Sequence, residues 1–272
     1  MKLEIIDEVL VAGEPQLAWE SFHENSKVSR FERHPTFVLH PSDHTIVRAM
    51  SRLRTVKPYR DRERVELPAA WPRSTTSLDD VVLGRETARS FAPEPIGLDQ
   101  LAKVLHMSYG VTRDNEDTIF PRPFRAIPSG GALYPLELYV HVRRVNDLAP
   151  GLYHYDPEDG SLDALRLAEG ADDSEQVDAM LMQPELACNC AVTIFVSAVF
   201  FRSTFKYGDR GYRFILLEAG HLAQNAVLTA RELGLACAPI GGYADRDVDQ
   251  YLRFDGLSES TVYVLLIGQA AK

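Results

Sequence analysis

The clearest alternation of apolar and polar positions runs from Leu136 to Arg143, where Leu136, Leu138, Val140 and Val142 face away from Glu137, Tyr139, His141 and Arg143. A period of two predicts a strand with one buried face. Uninterrupted apolar runs predict a central strand over Ala191–Phe200 and a last strand over Thr261–Gly268, and Pro150–Pro157 reads as a turn with a short aromatic strand. Helical spacing marks Ile96–Ser108, Ser174–Met182 and Gly211–Leu233, the longest pattern in the chain, which Gly234 closes. Asp245–Leu252 and Leu17–Ser26 predict shorter helices.

A chain of 272 residues is long enough for one large domain, or for one domain with an extension. Residues 1–75 are mixed in character and read as an N-terminal extension or arm. Between Arg48 and Arg73 this arm carries Arg52, Arg54, Lys57, Arg60, Arg62 and Arg64, broken by acids and prolines. A solvated surface segment is the expected state there, in preference to a docking strip for an acidic partner. Over the whole chain 39 acidic residues outnumber 29 basic ones, for a formal charge of −10, which argues against nucleic-acid binding by phosphate neutralisation.

Met1–Pro15 holds Glu4, Asp7, Glu8 and Glu14 and lacks a secretory layout, while Ala191–Phe201 is too short to span a bilayer. A cytoplasmic protein without a membrane partner is expected. Cys188, Cys190 and Cys237 give an odd count and no disulfide framework, and no cluster beside them suggests a metal. Glu218 and His221 have half the spacing of a metal site without a second half, so hydrogen bonding between helices is expected of them.

Candidate chemistry lies in four places. Pro128, Ser129, Gly130 and Gly131 form a loop almost bare of side chains directly before the alternating strand, and Gly241 and Gly242 repeat this after Pro239. Each fits a tight turn or a close approach to a planar ligand. Arg85, Thr87 and Arg89 place two guanidiniums and a hydroxyl at an expected loop-to-helix passage, suited to a phosphate or to an exposed charged turn. Lys206 and Tyr207 are adjacent; a protonated lysine there is expected to lower the phenol's pKa and prepare an acid/base group, the alternative being a polar helix entrance.

Together these blocks resemble the flavin-site segments of the nitroreductase superfamily. The forms PSGGALYPLELYV, GLYHYDP and KYGDRGYRFILLEAGHLAQN resemble the SagB-type dehydrogenases, FMN oxidases of azole-forming peptide biosynthesis. The resemblance covers about residues 76–268, and Phe22–Lys27 resembles the N-terminal segment of that subfamily more weakly. It implies an α+β fold with a mixed or antiparallel central sheet flanked by helices, over residues 76–272, and a homodimer with FMN at its interface. Arg85, Thr87 and Arg89 would hold the FMN phosphate, Pro128, Ser129 and Gly130 would line the flavin, and Gly241 and Gly242 would face its N5. Lys206 and Tyr207 would be catalytic. A basic residue after the last strand often reaches the phosphate in this superfamily, and only Lys272 stands there. The implied reaction oxidises a thiazoline or oxazoline in a peptide, which a cyclodehydratase or carrier-bound intermediate could supply. The alternatives are an NAD(P)H-dependent nitroreductase or quinone reductase, and a non-catalytic peptide- or partner-binding subunit.

Overall fold

Eight strands make one antiparallel sheet, and helices cover it on both faces. The structure, a computed structural model, describes residues 18–28, 44–71, 73–115, 122–168 and 173–271. Met1–Pro15 and Lys272 lie outside the described residues. In chain order the sheet strands are β1 (Arg64–Glu66), β2 (Phe91–Ala92), β5 (Leu136–Val142), β6 (Gly151–Asp156), β7 (Ser161–Leu167), β8 (Val192–Val199), β9 (Leu235–Ile240) and β10 (Glu259–Ala270). β3 (Val111–Arg113) and β4 (Phe124–Arg125) form a separate hairpin. The sheet order is β1-β7-β6-β5-β8-β10-β2, with β9 also paired to β10, and all these pairings are antiparallel.

The helices are α1 (Ala18–Asn25), α2 (His44–Arg52), α3 (Leu78–Leu83), α4 (Leu98–Tyr109), α5 (Ser174–Ala179), α6 (Phe201–Tyr207), α7 (Asp209–Glu232) and α8 (Asp245–Leu252). On one face α4 and α7 pack over Leu136, Leu138, Val140 and Val142, each worth about 1.5–3 kcal/mol when fully buried. α7 turns Ile215, Ala219, Leu222, Ala223, Ala226, Val227 and Ala230 to this core, and its alanines let the sheet and α4 approach closely. Gly234, at φ +71°, stops it as expected. On the other face Tyr139, Phe195, Val248 and Tyr251 form a second core with α5 and α8. No helix among the described residues is long and apolar enough to cross a membrane.

Burial on both faces corrects the expectation of a half-exposed β5, all seven residues of which are buried. Its polar positions survive because they are partnered: Glu137 binds Arg202 Nη2 at 2.6 Å and His154 Nε2 at 2.7 Å, and His141 Nε2 lies 2.7 Å from Asp173. Burial works against the Glu137 charge, yet Arg202 and His154 outweigh it and hold its pKa down at about 2.

The described part of the basic arm is docked on the sheet at Lys57, Tyr59 and Arg64 and otherwise has its charged residues exposed. Lys57 N donates to Glu137, its amine meets Glu259 at 2.6 Å, Tyr59 bonds Tyr139, and β1 extends the sheet through Arg64 and Asp163. Lys57 and Arg64 are tied to acids of the main body, while Arg52, Arg54, Arg60, Arg62 and Arg73 stay exposed, as expected of a solvated segment.

Candidate active site

The backbone between Gly130 and Tyr134 is bent into conformations that side chains resist. Gly131, Ala132 and Tyr134 have φ of 68°, 51° and 45°, and Gly130–Ala132 make one 3-10 turn. Such strain persists where neighbours over-determine it. Here Tyr134 N donates to Ser129 Oγ at 3.0 Å, and Arg125 N donates to Tyr134 Oη at 3.0 Å. Leu136 N donates to Tyr109 Oη at 3.1 Å, and the Arg125 guanidinium lies over both tyrosine rings.

Two sequence-predicted groups meet at this loop. A Cβ on Gly131 would sit 2.8 Å from both Lys206 Nζ and Tyr207 Oη, and one on Gly130 would lie 3.6 Å from the Tyr207 ring. α6 delivers that pair and then breaks at Gly208, at φ +54°, where α7 begins; Gly211 lets the two helices touch, since a Cβ there would fall 2.9 Å from Ser203 C. One turn before Lys206, buried Arg202 fixes α6 to Glu137 and to the carbonyls of Thr55 and Tyr134. The Tyr207 ring is held edge-on to Phe214, with centroids 5.0 Å apart.

The electrostatics reverse the expected division of labour between the pair. Lys206 Nζ lies 5.2 Å from the Tyr207 ring centroid, but burial raises the phenol's pKa instead of the ammonium lowering it. Burial, helped by the charge of Arg122, lowers that of Lys206. The lysine is the member pushed towards a neutral base, and the tyrosine stays a hydrogen-bond donor.

Arg85, Thr87 and Arg89 stand elsewhere, in the loop joining α3 to β2 and not at the start of a helix. Arg85 Nη1 donates to Thr87 Oγ1 at 3.4 Å, and Ala88 N ties the loop to Cys237 O of β9. Thr87 and Arg89 line a cavity of about 280 Å³ with Arg231, Gly234, Ala270 and Ala271. Arg231, at the end of α7, rests its guanidinium over Gly84, where a Cβ would be 2.7 Å away. Sequence reasoning passed over it, because a cation in the last turn of a helix needs no ligand to be favourable. Gly241 and Gly242 are exposed at the far end of β9, with Gly242 against Met182.

The predicted residues therefore fall into two groups. The loop carrying Arg85, Thr87 and Arg89 and the Gly241–Gly242 pair are joined by β9, whereas Pro128–Gly131 and Lys206–Tyr207 lie at β5, three strand spacings or roughly 14 Å across the sheet. Glu218 faces the second group from α7 and makes no metal site with His221, which is exposed; no metal-holding cluster occurs among the described residues. All three cysteines are free.

The sequence model of the Nitroreductase family matches residues 82–269. The chain belongs to the nitroreductase family. Over 176 residues it is 36% identical to Putative nitroreductase MJ1384 of Methanocaldococcus jannaschii, covering 65% of this chain and 84% of that protein. It is 31% identical over 156 residues to the Microcin B17-processing protein McbC of Escherichia coli, covering 53% of this chain and 54% of McbC. The match thus spans about half the length of that relative. Among solved structures, a chain of the E. coli Microcin synthetase McbBCD complex with truncated pro-MccB17 bound shares the nitroreductase-like α+β fold, at TM-score 0.58 and 23% identity, over 99% of this chain and 93% of that one.

Proposed function

We propose that this chain is an FMN-dependent dehydrogenase that oxidises thiazolines or oxazolines in a peptide to azoles, of the SagB type, and that it acts as a homodimer. The observation that carries the reading is the convergence of Lys206 Nζ and Tyr207 Oη on the strained loop at Gly131. The likeness to a microcin-processing protein supports it, as does the fold shared with a chain from an assembly that holds a pro-peptide. A peptide substrate and a cyclodehydratase that forms the azoline are its proposed partners.

The donor set suits FMN. Arg85, Arg89 and Arg231 with the Thr87 hydroxyl match a phosphate, and the bare Gly130, Gly241 and Gly242 leave room for a planar ring where a Cβ would project. When bound, FMN supplies the two-electron acceptor. Oxidising an azoline removes a hydride from one ring carbon and a proton from its neighbour. Lys206, shifted towards the free amine, takes that proton, and Tyr207 donates a hydrogen bond beside it. Gly131 admits the reacting ring to both groups.

A homodimer accounts for the division of the site into two groups, because a second copy can lay its loop group against the cradle group of the first. The outer face of α7 suits such a contact: Tyr212, Leu216 and Leu217 are exposed there, Leu217 at 60%, beside exposed Phe201.

The greater identity to a protein named as a nitroreductase favours a second reading, an NAD(P)H-dependent reductase. Anaerobic absorbance spectra separate the two. Bleaching of the flavin by an azoline-containing peptide and not by NADPH is expected; rapid bleaching by NADPH with no response to the peptide would overturn the dehydrogenase.

A further inference from the structure

Arg202, one turn before Lys206 on α6, is 5% exposed and serves three acceptors with one guanidinium. Its Nη2 donates to Glu137 Oε1 at 2.6 Å, and its Nη1 to Thr55 O at 3.2 Å and, at a longer 3.4 Å, to Tyr134 O. Thr55 O receives a second guanidinium, since buried Arg125 donates its Nη2 there at 3.1 Å. Further along the arm, Lys57 N donates to the same Glu137 oxygen at 2.8 Å, which closes a ring of arm backbone, carboxylate and Arg202 fork. Thr55 is itself buried, its hydroxyl donating to Glu158 Oε1 at 2.5 Å, and the Lys57 amine reaches Glu259. The family match begins at residue 82, so this piece of chain comes from outside the matched region.

We infer that Thr55 and Lys57 are positioning residues of the active site, whose backbone carbonyl and amide clasp Arg202 and Arg125 together and so keep α6, with Lys206 and Tyr207, in register with the strained loop at Gly131. The two arginines serve different sides of that contact. Arg202 holds α6 against Glu137 of β5, while Arg125 lies over the Tyr109 and Tyr134 rings that brace the loop. A guanidinium fork taken out of water needs an acceptor for each of its branches, and an unmet donor at such depth costs more than a made bond contributes. Apart from Thr55 O, Arg202 Nη1 has only the long contact to Tyr134 O, and Arg125 Nη2 only Glu158 at 3.7 Å, among the described residues. Withdrawing the arm would therefore loosen both arginines at once, and with them the helix and the loop that meet at Gly131. On this inference the working unit begins ahead of Thr55 and not at residue 76. The effect on azoline oxidation rests on the proposed function; the clasp itself does not.

Two insertions in the full chain test this. One glycine between Val56 and Lys57 leaves Thr55 O and Lys57 N unable to meet the same guanidinium and carboxylate. One glycine between Arg60 and Asp61, in an exposed turn, lengthens the arm equally and leaves the clasp intact. The readout that needs neither flavin nor substrate is the fluorine NMR line of Tyr207 in flavin-free protein prepared with 3-fluorotyrosine, assigned by its loss in Tyr207→Phe. That line should broaden or split with the first insertion and match wild type with the second. On unlabelled protein, turnover of an azoline peptide should fall by about 10²-fold with the first insertion, the usual cost of a misplacement of about 1 Å, and by less than about twofold with the second. A Tyr207 line unchanged by the first insertion overturns the inference, as does an equal response to both insertions, which would make the arm a general stabiliser. Arg202→Lys, which keeps a charge on Glu137 and loses the fork, covers an insertion that does not fold: its Tyr207 line should broaden too, and an unchanged line there overturns the inference. A line that responds as expected in a protein that oxidises no azoline removes the proposed reaction and leaves the clasp standing.

Discussion

Around Ser129 the chain is held from several sides by Tyr109, Arg125, Tyr134 and Arg202, all of them buried, whereas around Thr87 two exposed arginines, Arg89 and Arg231, line an open cavity beside exposed Arg85, and one backbone hydrogen bond ties the loop to β9. The first arrangement constrains the backbone through several buried hydrogen bonds and tolerates strain in doing so. The second supplies charge, which acts at longer range and needs less exact placement, and which salt will screen. Chemistry is sensitive to geometry and anchoring to charge, so substitutions in the two regions should fail in different ways.

The sharpest break is expected at the lysine. Lys206→Ala should lower turnover of an azoline peptide by about 10²–10⁴-fold, the usual contribution of a positioned general base, while flavin content stays near that of wild type. Turnover within a few-fold of wild type would move the base elsewhere. Next comes Arg202→Ala, which leaves Glu137 charged and buried and should cost about 3–5 kcal/mol in denaturant unfolding. If stability hardly changes, α6 is not held by that ion pair.

Gly131→Ala combines a clash with both Lys206 and Tyr207 and a left-handed backbone. It should cost about 1–3 kcal/mol in stability and most of the activity, and retained activity would show that the pair does not work across Gly131. In the cradle, Arg85→Ala with Arg89→Ala should yield folded protein whose FMN affinity falls by about 10–100-fold, more steeply at low salt, since charged hydrogen bonds contribute about 1.5–3 kcal/mol each before screening. Full flavin retention would place the phosphate elsewhere.

The smallest effect is in the pH dependence of stability. Glu137 has its pKa lowered to about 2, so its contribution is complete above the ordinary carboxylate range and lost as pH falls towards that value. His154 has its pKa raised, burial being outweighed by Asp163 and Glu137; its contribution is complete below about pH 6.5 and lost as pH rises through the folded value. Glu218 takes up a proton on folding, so stability also declines from the ordinary carboxylate range up to about 8. Melting temperature should therefore peak on the mildly acidic side of neutrality, and a flat profile would contradict the buried assignments.

Much of this fold was legible because its elements follow their periods. The strand at Leu136, the helix expected over Gly211–Leu233 and found over Asp209–Glu232, and the last strand lie within a few residues of their expected places. The surroundings were less legible. Alternation over β5 cannot tell a solvated polar face from one buried with partners, because Glu137 and His154 meet only once the sheet has formed. Likewise the anchors of the basic arm stay hidden in the sequence until Lys57 finds Glu259 and Arg64 finds Asp159 and Asp163. Lys206 and Tyr207 could be named from sequence, yet their relative acidities could not, since burial and Arg122 decide these. Glu218 was legible as a polar partner between helices, and its contact with Tyr109 of α4 agrees with that reading.

The left-handed backbone at Ala132 sets a conflict for anyone improving this protein in the laboratory. Glycine at that position would relieve strain that alanine bears at φ 51°, so a library screened for heat tolerance alone will favour it. The same exchange frees the turn that presents Gly131 to the lysine and tyrosine. Selection on turnover and selection on endurance should therefore pull this one residue in opposite directions.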